Sequence, residues 1–193
     1  MRIIAGQWRS RTLVRPESPG TRPMPDRVKE ALFDLLGSRY DCPGELPPLR
    51  VADVFAGSGS MGLEALSRGA RHCWFFERER IALTALRKNI ATLDAVDRSN
   101  VITTDAWRSA VRANAAEPFE LLFLDPPYRD SEDSSSQGLV ARFLARLAQE
   151  DDNRPLIMLH HPAKTRFGDE VPTPWHVVDQ RAFGSNGVTL FAR

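Results

Sequence analysis

Short, continuous apolar runs alternate with helical patterns along most of the chain, and this alternation constrains the fold more than any other sequence feature. The runs cover residues 51–55, 73–76, 101–103, 121–124 and 156–159. A run that stays apolar at successive positions fits a strand buried on both faces, as in a parallel sheet covered by helices. The sequence therefore predicts a doubly wound, Rossmann-like α/β fold.

Helices and further strands account for the intervals between these runs and for the end of the chain. Apolar residues at helical spacing predict a helix from Arg27 to about Gly37, and two later helices marked by Ala82, Leu86, Ile90 and Leu93 and by Val140, Phe143, Leu144 and Leu147. Two late stretches, 175–178 and 188–191, lack a clear helix between them, so we expect a hairpin at one sheet edge. This gives seven strands in a mostly parallel sheet. The polar segment 129–138 is typical of a mobile loop.

The first thirty residues differ from the rest in charge and regularity. Seven basic residues against three acidic ones give them a net charge of +4, whereas the whole chain has +1. Apolar stretches at 2–5 and 11–14 flank a polar segment that contains glycine, as in a small β-hairpin, and several prolines follow. We therefore divide the chain into a basic N-terminal arm, residues 1–24, and a main domain, residues 25–193.

Clustered arginine suits a phosphate backbone, because guanidinium groups pair with phosphate oxygens and stack on bases. The alternative is a basic arm that is simply solvated. The candidates for nucleic-acid contact are Arg2, Arg9, Arg11, Arg22 and Arg27.

Composition excludes several other classes of protein. Hydrophobic residues make up 42% and charged residues 26%, which fits a soluble globular protein. No stretch approaches the roughly 20 apolar residues of a membrane span. The two cysteines, Cys42 and Cys73, lack the spacing of a disulfide framework or a metal site. We expect a cytoplasmic protein without a metal that acts as a monomer.

Candidate binding and catalytic residues follow the carboxyl ends of the predicted strands, which is where ligands bind in such sheets. The first run leads into GSGSMG at 57–62, a G-x-G-x-x-G loop, and the second ends at Glu77, placed to accept hydrogen bonds from ribose hydroxyls. A nicotinamide-dinucleotide domain shows the same loop and acid. Asp53, within the first run, favours S-adenosylmethionine, because a carboxylate suits an ammonium and a sulfonium better than a pyrophosphate.

The fourth run continues directly into Asp125-Pro126-Pro127-Tyr128, for which a hydride-transfer enzyme has no use. With this motif the chain resembles a class I S-adenosylmethionine-dependent methyltransferase that methylates amino groups. The fuller resemblance is to the RsmD family, which methylates the exocyclic N2 of a guanine in bacterial small-subunit (16S) ribosomal RNA. It rests on MRIIAGQWRSRTL at 1–13, RPMPDRVKEALFDLL at 22–36, VADVFAGSGSMGLEALSRGA at 51–70 and LLFLDPPY at 121–128.

The resemblance implies a role for each cofactor-binding candidate. Asp53, Gly57 and Gly59 would surround the methionine part of S-adenosylmethionine, Glu77 would hold its ribose, and Asp105 with the backbone of Ala106 would read the adenine. Structural alternatives stay open for the three acids. Asp53 would then accept hydrogen bonds from loop N–H groups, Glu77 would be an exposed acid at a strand end, and Asp105 would cap a helix.

The resemblance also implies how the target amine is held. The Asp125 side chain and the Pro126 carbonyl would accept its two N–H hydrogens, and the consecutive prolines Pro126 and Pro127 would fix the direction of that carbonyl. Tyr128 would stack on the target base, which must leave its own stack to enter. The substrate would be small-subunit ribosomal RNA or the 30S ribosomal particle.

Two positions depart from the family pattern, and three rival functions remain. Met24-Pro25 stands where threonines are common, and His160-His161 occupies a strand end where an acidic residue is frequent. We expect the two histidines to be surface or core residues without a metal.

The rival functions are those of an adenine-N6 methyltransferase of DNA or RNA, a noncatalytic RNA-binding assembly factor and a nicotinamide-dependent oxidoreductase.

Overall fold

The buried apolar runs form strands in both compact units of the chain. The computed structural model describes residues 1–16, 24–111, 115–150 and 154–193. The first unit comprises Met1–Thr104 and the second Asp105–Arg193.

The described part of the first unit contains three α-helices, a short 3-10 helix (Val96–Arg98) and three parallel strands. In chain order the α-helices and strands are α1 (Asp26–Arg39), β1 (Arg50–Val54), α2 (Ser60–Ser67), β2 (His72–Phe76), α3 (Arg80–Thr92) and β3 (Ser99–Ile102). Strand β2 pairs with β1 on one side and with β3 on the other, both in parallel. Parallel strands joined by helices form the arrangement that the alternating pattern predicts.

Helix α1 continues two residues beyond the end predicted at Gly37. A Cβ atom at Gly37 would lie 2.8 Å from the carbonyl oxygen of Cys42, and the Cys42 N–H donates to the Gly37 carbonyl. The glycine therefore allows the chain at Cys42 to lie close against the helix backbone, and it does not end the helix.

The second unit begins with a parallel pair and ends with an antiparallel hairpin. Its elements are β4 (Leu121–Leu124), α4 (Tyr128–Ser131), α5 (Leu139–Glu150), β5 (Leu156–Pro162), β6 (His176–Phe183) and β7 (Asn186–Ala192). Strand β5 is parallel to β4 and antiparallel to β7, and β7 is antiparallel to β6. The predicted hairpin is confirmed. The segment 129–138 is not a loop throughout, because its first residues belong to α4.

The seven strands have the order β3-β2-β1-β4-β5-β7-β6 in one sheet. The predicted fold class, a seven-stranded and mostly parallel α/β sheet, is confirmed. All four residues of β4 and all seven of β5 are buried, which explains their unbroken apolar runs. No helix in the described part of the chain is both long and apolar enough to cross a membrane.

The predicted N-terminal hairpin is present in reduced form. Arg2 and Thr12 form an isolated antiparallel bridge, flanked by hydrogen bonds from Ile3 N–H to the Arg11 carbonyl and from Leu13 N–H to the Met1 carbonyl. The two sides of this hairpin therefore meet at a single bridge. The division into an arm of residues 1–24 and a domain of residues 25–193 stays a prediction.

Candidate functional site

The glycine loop connects β1 to α2 in the first unit. Gly57 has a φ of +57°, and a Cβ atom built on it would meet nothing within 4 Å, so a ligand can approach its backbone. Gly59 has a φ of +83°, and Gly62 packs so closely on β2 that a Cβ atom would lie 2.5 Å from the Cys73 sulfur. The three glycines therefore serve ligand access, a left-handed turn and helix–strand packing.

Phe55 turns the chain from β1 into this loop. Its φ of +68° lies in the left-handed region, which a bulky side chain rarely adopts. Its N–H and that of Ala56 both donate to the Phe76 carbonyl, which holds the turn. Such strain is common at functional sites, and here it lies immediately before the candidate cofactor loop.

Asp53 lies on β1 and is 1% exposed. Its Oδ2 accepts a hydrogen bond of 2.8 Å from the Gly62 N–H, in the first turn of α2. A carboxylate at a helix N-terminus is favoured by the helix dipole. The structural role considered for Asp53, accepting from an N–H group of the loop region, is therefore present, and its cofactor role stays a prediction.

Glu77 follows β2 and contacts the glycine loop directly. Its Oε2 accepts from the Gly57 N–H at 2.8 Å, and its Oε1 accepts from the N–H groups of Arg78 and Glu79 at 2.7 Å each. A carboxylate has about four acceptor positions, so these three bonds leave capacity for a hydroxyl. Glu77 is thus fixed against the loop, unlike a solvated acid at a strand end.

The second unit holds the two residues predicted to read adenine. Asp105 Oδ1 accepts from the Trp107 N–H at 3.0 Å, which caps a turn and not the helix considered from sequence. Ala106 is buried, and its carbonyl accepts from the Arg146 guanidinium at 3.1 Å. These bonds fix the backbone around Ala106.

The motif Asp125-Pro126-Pro127-Tyr128 follows β4 in the second unit. Pro126 is buried, Pro127 is exposed and Tyr128 begins α4. Asp125 Oδ1 lies 2.7 Å from Nδ1 of His160, near the end of β5. The motif therefore places a partly exposed carboxylate directly after a fully buried strand.

His160 connects this carboxylate to a second polar pair. Its Nε2 lies 3.1 Å from Asn186 Oδ1 and 3.1 Å from the Tyr128 hydroxyl, and that hydroxyl donates to Asn186 Oδ1 at 2.9 Å. Burial is the largest single influence on the His160 pKa and lowers it, but Asp125 and Asn186 together raise the pKa above 6.5.

His161 differs from its neighbour. It is fully buried, its Nδ1 donates to the Pro162 carbonyl at 2.9 Å, and its Nε2 lies 2.8 Å from the Thr189 hydroxyl. Burial, with smaller contributions from His160 and Arg166, lowers its pKa to about 4. Both histidines are core residues, which was one of the two locations expected. No group of three or more metal-binding side chains is found among the described residues.

The candidate RNA-binding arginines lie on the surface of the first unit. Arg2, Arg9, Arg11 and Arg27 are exposed, and Arg2 also pairs with Asp26 at 3.0 Å. Arg22 lies outside the described residues. Exposure leaves these guanidinium groups accessible to phosphate, while RNA contact stays a prediction.

Sequence reasoning missed residues in each unit that hold the candidate site residues of that unit. Asn186 was given no role, and His160 was expected to be a surface or core residue with no part in the site. In the first unit Asn89 Nδ2 donates to the Ser58 carbonyl in the glycine loop at 2.9 Å and to the Val14 carbonyl at 3.0 Å. A polar residue interrupting the apolar face of α3 was the available signal for Asn89.

Comparison with known proteins shows the family of the chain. The family described as Conserved hypothetical protein 95 matches residues 1–192. The Ribosomal RNA small subunit methyltransferase D of Escherichia coli K12 is 42% identical over 194 residues, covering 100% of this chain and 90% of that protein. The chain belongs to this family, the RsmD family. The namesake enzyme of Haemophilus influenzae is 38% identical, covering 99% of this chain and 93% of that protein.

Solved structures of other proteins show the same fold. The Escherichia coli protein yhhF has a TM-score of 0.75 at 30% identity, covering 100% of this RsmD-family chain and 97% of that one. The rRNA methyltransferase aviRa from Streptomyces viridochromogenes has a TM-score of 0.67, with coverage of 91% and 88%. At 18% identity that second likeness concerns the fold alone. The predicted family and fold are confirmed. Membership of a methyltransferase family also supports the prediction that the chain is an enzyme.

Proposed function

We propose that this RsmD-family chain transfers a methyl group from S-adenosylmethionine to the exocyclic N2 of a guanine in small-subunit ribosomal RNA. The observation that carries the proposal is the Asp125-Pro126-Pro127-Tyr128 motif directly after the buried strand β4. It occurs in a chain related over its full length to enzymes named Ribosomal RNA small subunit methyltransferase D.

The first unit fits the methionine and ribose parts of the cofactor. Open space at Gly57 admits a ligand to the backbone, and Glu77 has capacity for a hydroxyl beside its three N–H bonds. Asp53 and Glu77 give the loop a negative environment, which suits an ammonium and a sulfonium. When bound, S-adenosylmethionine supplies a methyl group activated on sulfur. Asp105 and the backbone of Ala106 would bind the adenine, with Gly59 shaping the loop.

The second unit provides acceptors for a weak nucleophile. The exocyclic amine of guanine is nearly planar because its lone pair is delocalised into the ring. Accepting its two N–H hydrogens on Asp125 and the Pro126 carbonyl helps the nitrogen to pyramidalise and direct its lone pair at the methyl group. Most of the rate would then come from positioning and preorganised electrostatics.

Asp125 need not be a strong base in this mechanism. Once methylated, the amine nitrogen would be very acidic, so its proton would pass readily to the Asp125 carboxylate and from there to water. The half-buried Tyr128 would stack on the target base, which must be unpaired or turned out of its stack. The exposed arginines of the arm would bind the RNA backbone.

The experiment is transfer of labelled methyl from S-adenosylmethionine to unmodified 30S particles, naked small-subunit rRNA and duplex DNA, followed by nucleoside analysis. We expect N2-methylguanosine from a ribosomal substrate, and the better substrate identifies the form of RNA that is recognised. Methyladenine from DNA would overturn the substrate. Cofactor binding without transfer to any of the three would favour a noncatalytic assembly factor.

A further inference from the structure

His160 lies between two oxygen acceptors. Its Nδ1 faces Asp125 Oδ1 at 2.7 Å, and its Nε2 faces Asn186 Oδ1 at 3.1 Å. The orientation of the Asn186 amide is fixed, because its Nδ2 donates to the Phe183 carbonyl at 3.2 Å. Rotating the amide would place its oxygen against that carbonyl. Asn186 therefore presents an acceptor to His160.

This arrangement fits a proton on both ring nitrogens, with the Tyr128 hydroxyl oxygen, 3.1 Å from Nε2, as a further acceptor. A neutral imidazole donates from one nitrogen and accepts on the other, whereas an imidazolium donates from both. The Tyr128 hydroxyl donates to the same Asn186 oxygen at 2.9 Å, and that oxygen has two lone pairs for its two donors. The hydrogen-bond pattern thus fits the imidazolium.

His161, the next residue on β5, provides an internal contrast. The Gln180 side-chain N–H donates to the Thr189 hydroxyl oxygen at 2.9 Å, so the Thr189 O–H can donate to His161 Nε2. His161 then donates on one side and accepts on the other, as a neutral imidazole does. Two adjacent buried histidines therefore have surroundings suited to opposite protonation states.

We propose that His160 is a positioning residue for methyl transfer: bonded to both Asp125 and Asn186, it fixes one carboxylate oxygen so that the other accepts an N–H of the target amine. This inference rests on the proposed function. Asp125 Oδ2 makes no hydrogen bond to any residue that the structure describes, and the Asp125 side chain is 26% exposed. One oxygen is thus held by the ring, and the side chain as a whole is partly open to solvent.

The proposal makes transfer sensitive to pH through His160. The titratable groups that the structure places against its ring or beside it are Asp125 after β4, Tyr128 in α4 and His161 on β5. Asp125 and Asn186 raise the His160 pKa against the opposing influence of burial. Loss of the Nε2 proton at higher pH removes the bond to Asn186 and the positive charge beside the Asp125 carboxylate.

The test compares kcat, KM and the pH profile of transfer to the ribosomal substrate in three variants. His160→Leu removes both bonds, and we expect kcat to fall by about tenfold to a hundredfold with the affinity for S-adenosylmethionine unchanged. His160→Asn retains a donor near the position of Nδ1 and should recover part of that loss. Asn186→Asp adds a negative charge, and we expect the alkaline fall in kcat to move up by about one pH unit.

His176→Asn is the matched control, because His176 is an exposed histidine of the same unit. It should leave both kcat and the pH profile unchanged. If the parent enzyme transfers methyl to guanine N2 while His160→Leu keeps its kcat, or if Asn186→Asp leaves the alkaline limb in place, the inference is wrong. If the parent enzyme itself transfers no methyl group, the proposed function has failed instead.

Discussion

The two units fix their functional carboxylates in different ways. In Met1–Thr104, Asp53 and Glu77 accept hydrogen bonds from main-chain N–H groups of the glycine loop and its neighbours. In Asp105–Arg193, Asp125 bonds to a side chain, His160, which bonds in turn to Asn186. Main-chain donors do not titrate, whereas a histidine does. Asp53 and Glu77 are therefore held by donors that do not change with pH, whereas Asp125 is held by a side chain that does.

The first unit also contains a buried group of three charges, which we call the Glu64 cluster: Lys29, Glu64 and Arg68. Glu64 lies 3.0 Å from the Lys29 ammonium and 2.9 Å from the Arg68 guanidinium, and it accepts from the N–H groups of Ile4 and Ala5. Burial lowers the pKa of Lys29, although Glu64 favours its charged form. The cluster thus attaches the N-terminal segment to α2.

The largest expected effect concerns this cluster. Glu64→Gln keeps the side-chain shape but leaves two buried cations without a carboxylate, and we expect a loss of about 3–5 kcal/mol in the free energy of unfolding. Urea denaturation at pH 7 measures it. Asp26→Asn, which breaks the exposed pair with Arg2, is the control and should cost less than about 1 kcal/mol. Equal losses in the two variants would refute the importance of the buried cluster.

The two histidines should shape the pH dependence of stability in opposite directions. The pKa of His161 falls to about 4 on folding, so its contribution is present above pH 6.5 and is lost as pH falls, by up to about 3 kcal/mol. His160 has a raised pKa, so its contribution is present below pH 6.5 and is lost as pH rises through that pKa. Unfolding free energies from pH 4 to 9 check both slopes.

Variants assign these slopes to residues. His161→Gln should flatten the acid slope and leave the alkaline one, while His160→Asn should do the reverse. An unchanged acid slope in His161→Gln would show that other groups cause it.

A smaller effect is expected where the N-terminal segment meets the glycine loop. Asn89 accepts from the Val14 N–H at 2.7 Å and donates to the carbonyls of Val14 and Ser58. Asn89→Ala removes these bonds, and we expect a loss of about 1–3 kcal/mol together with faster hydrogen exchange at the Val14 amide. Thr92→Ala, an exposed change on the same helix, is the control. Protected exchange at Val14 in Asn89→Ala would contradict this attachment.

The smallest effect is expected on RNA affinity. Reversing Arg9 and Arg11 to Glu should weaken binding to small-subunit rRNA by about tenfold and reduce its salt dependence, with unchanged affinity for S-adenosylmethionine. Reversing the exposed pair Arg87 and Lys88 changes the net charge equally and is the control. If both double variants bind RNA equally weakly, total charge and not the arm determines affinity.

The sequence predicted those parts of the molecule that depend on local pattern. Unbroken apolar runs identified β4 and β5 because both strands are buried throughout, and the glycine loop followed from its spacing. The link from Asp125 to Asn186 could not be predicted, because it depends on the register of β5 against β4 and β7. The end of helix α1 could not be predicted for a similar reason. Gly37 is required by the close approach of the residue 42 carbonyl and does not end the helix.

The most direct test of the account measures affinity for S-adenosylmethionine and single-turnover methyl transfer to the ribosomal substrate in Glu77→Ala and Asp125→Ala. We predict that Glu77→Ala weakens cofactor binding by about tenfold or more and regains much of its transfer at saturating cofactor. We predict that Asp125→Ala binds the cofactor as the parent does and transfers at least about a hundredfold more slowly. Unchanged transfer in Asp125→Ala, or a parallel loss of affinity and rate in both variants, would contradict the division of roles between the two units.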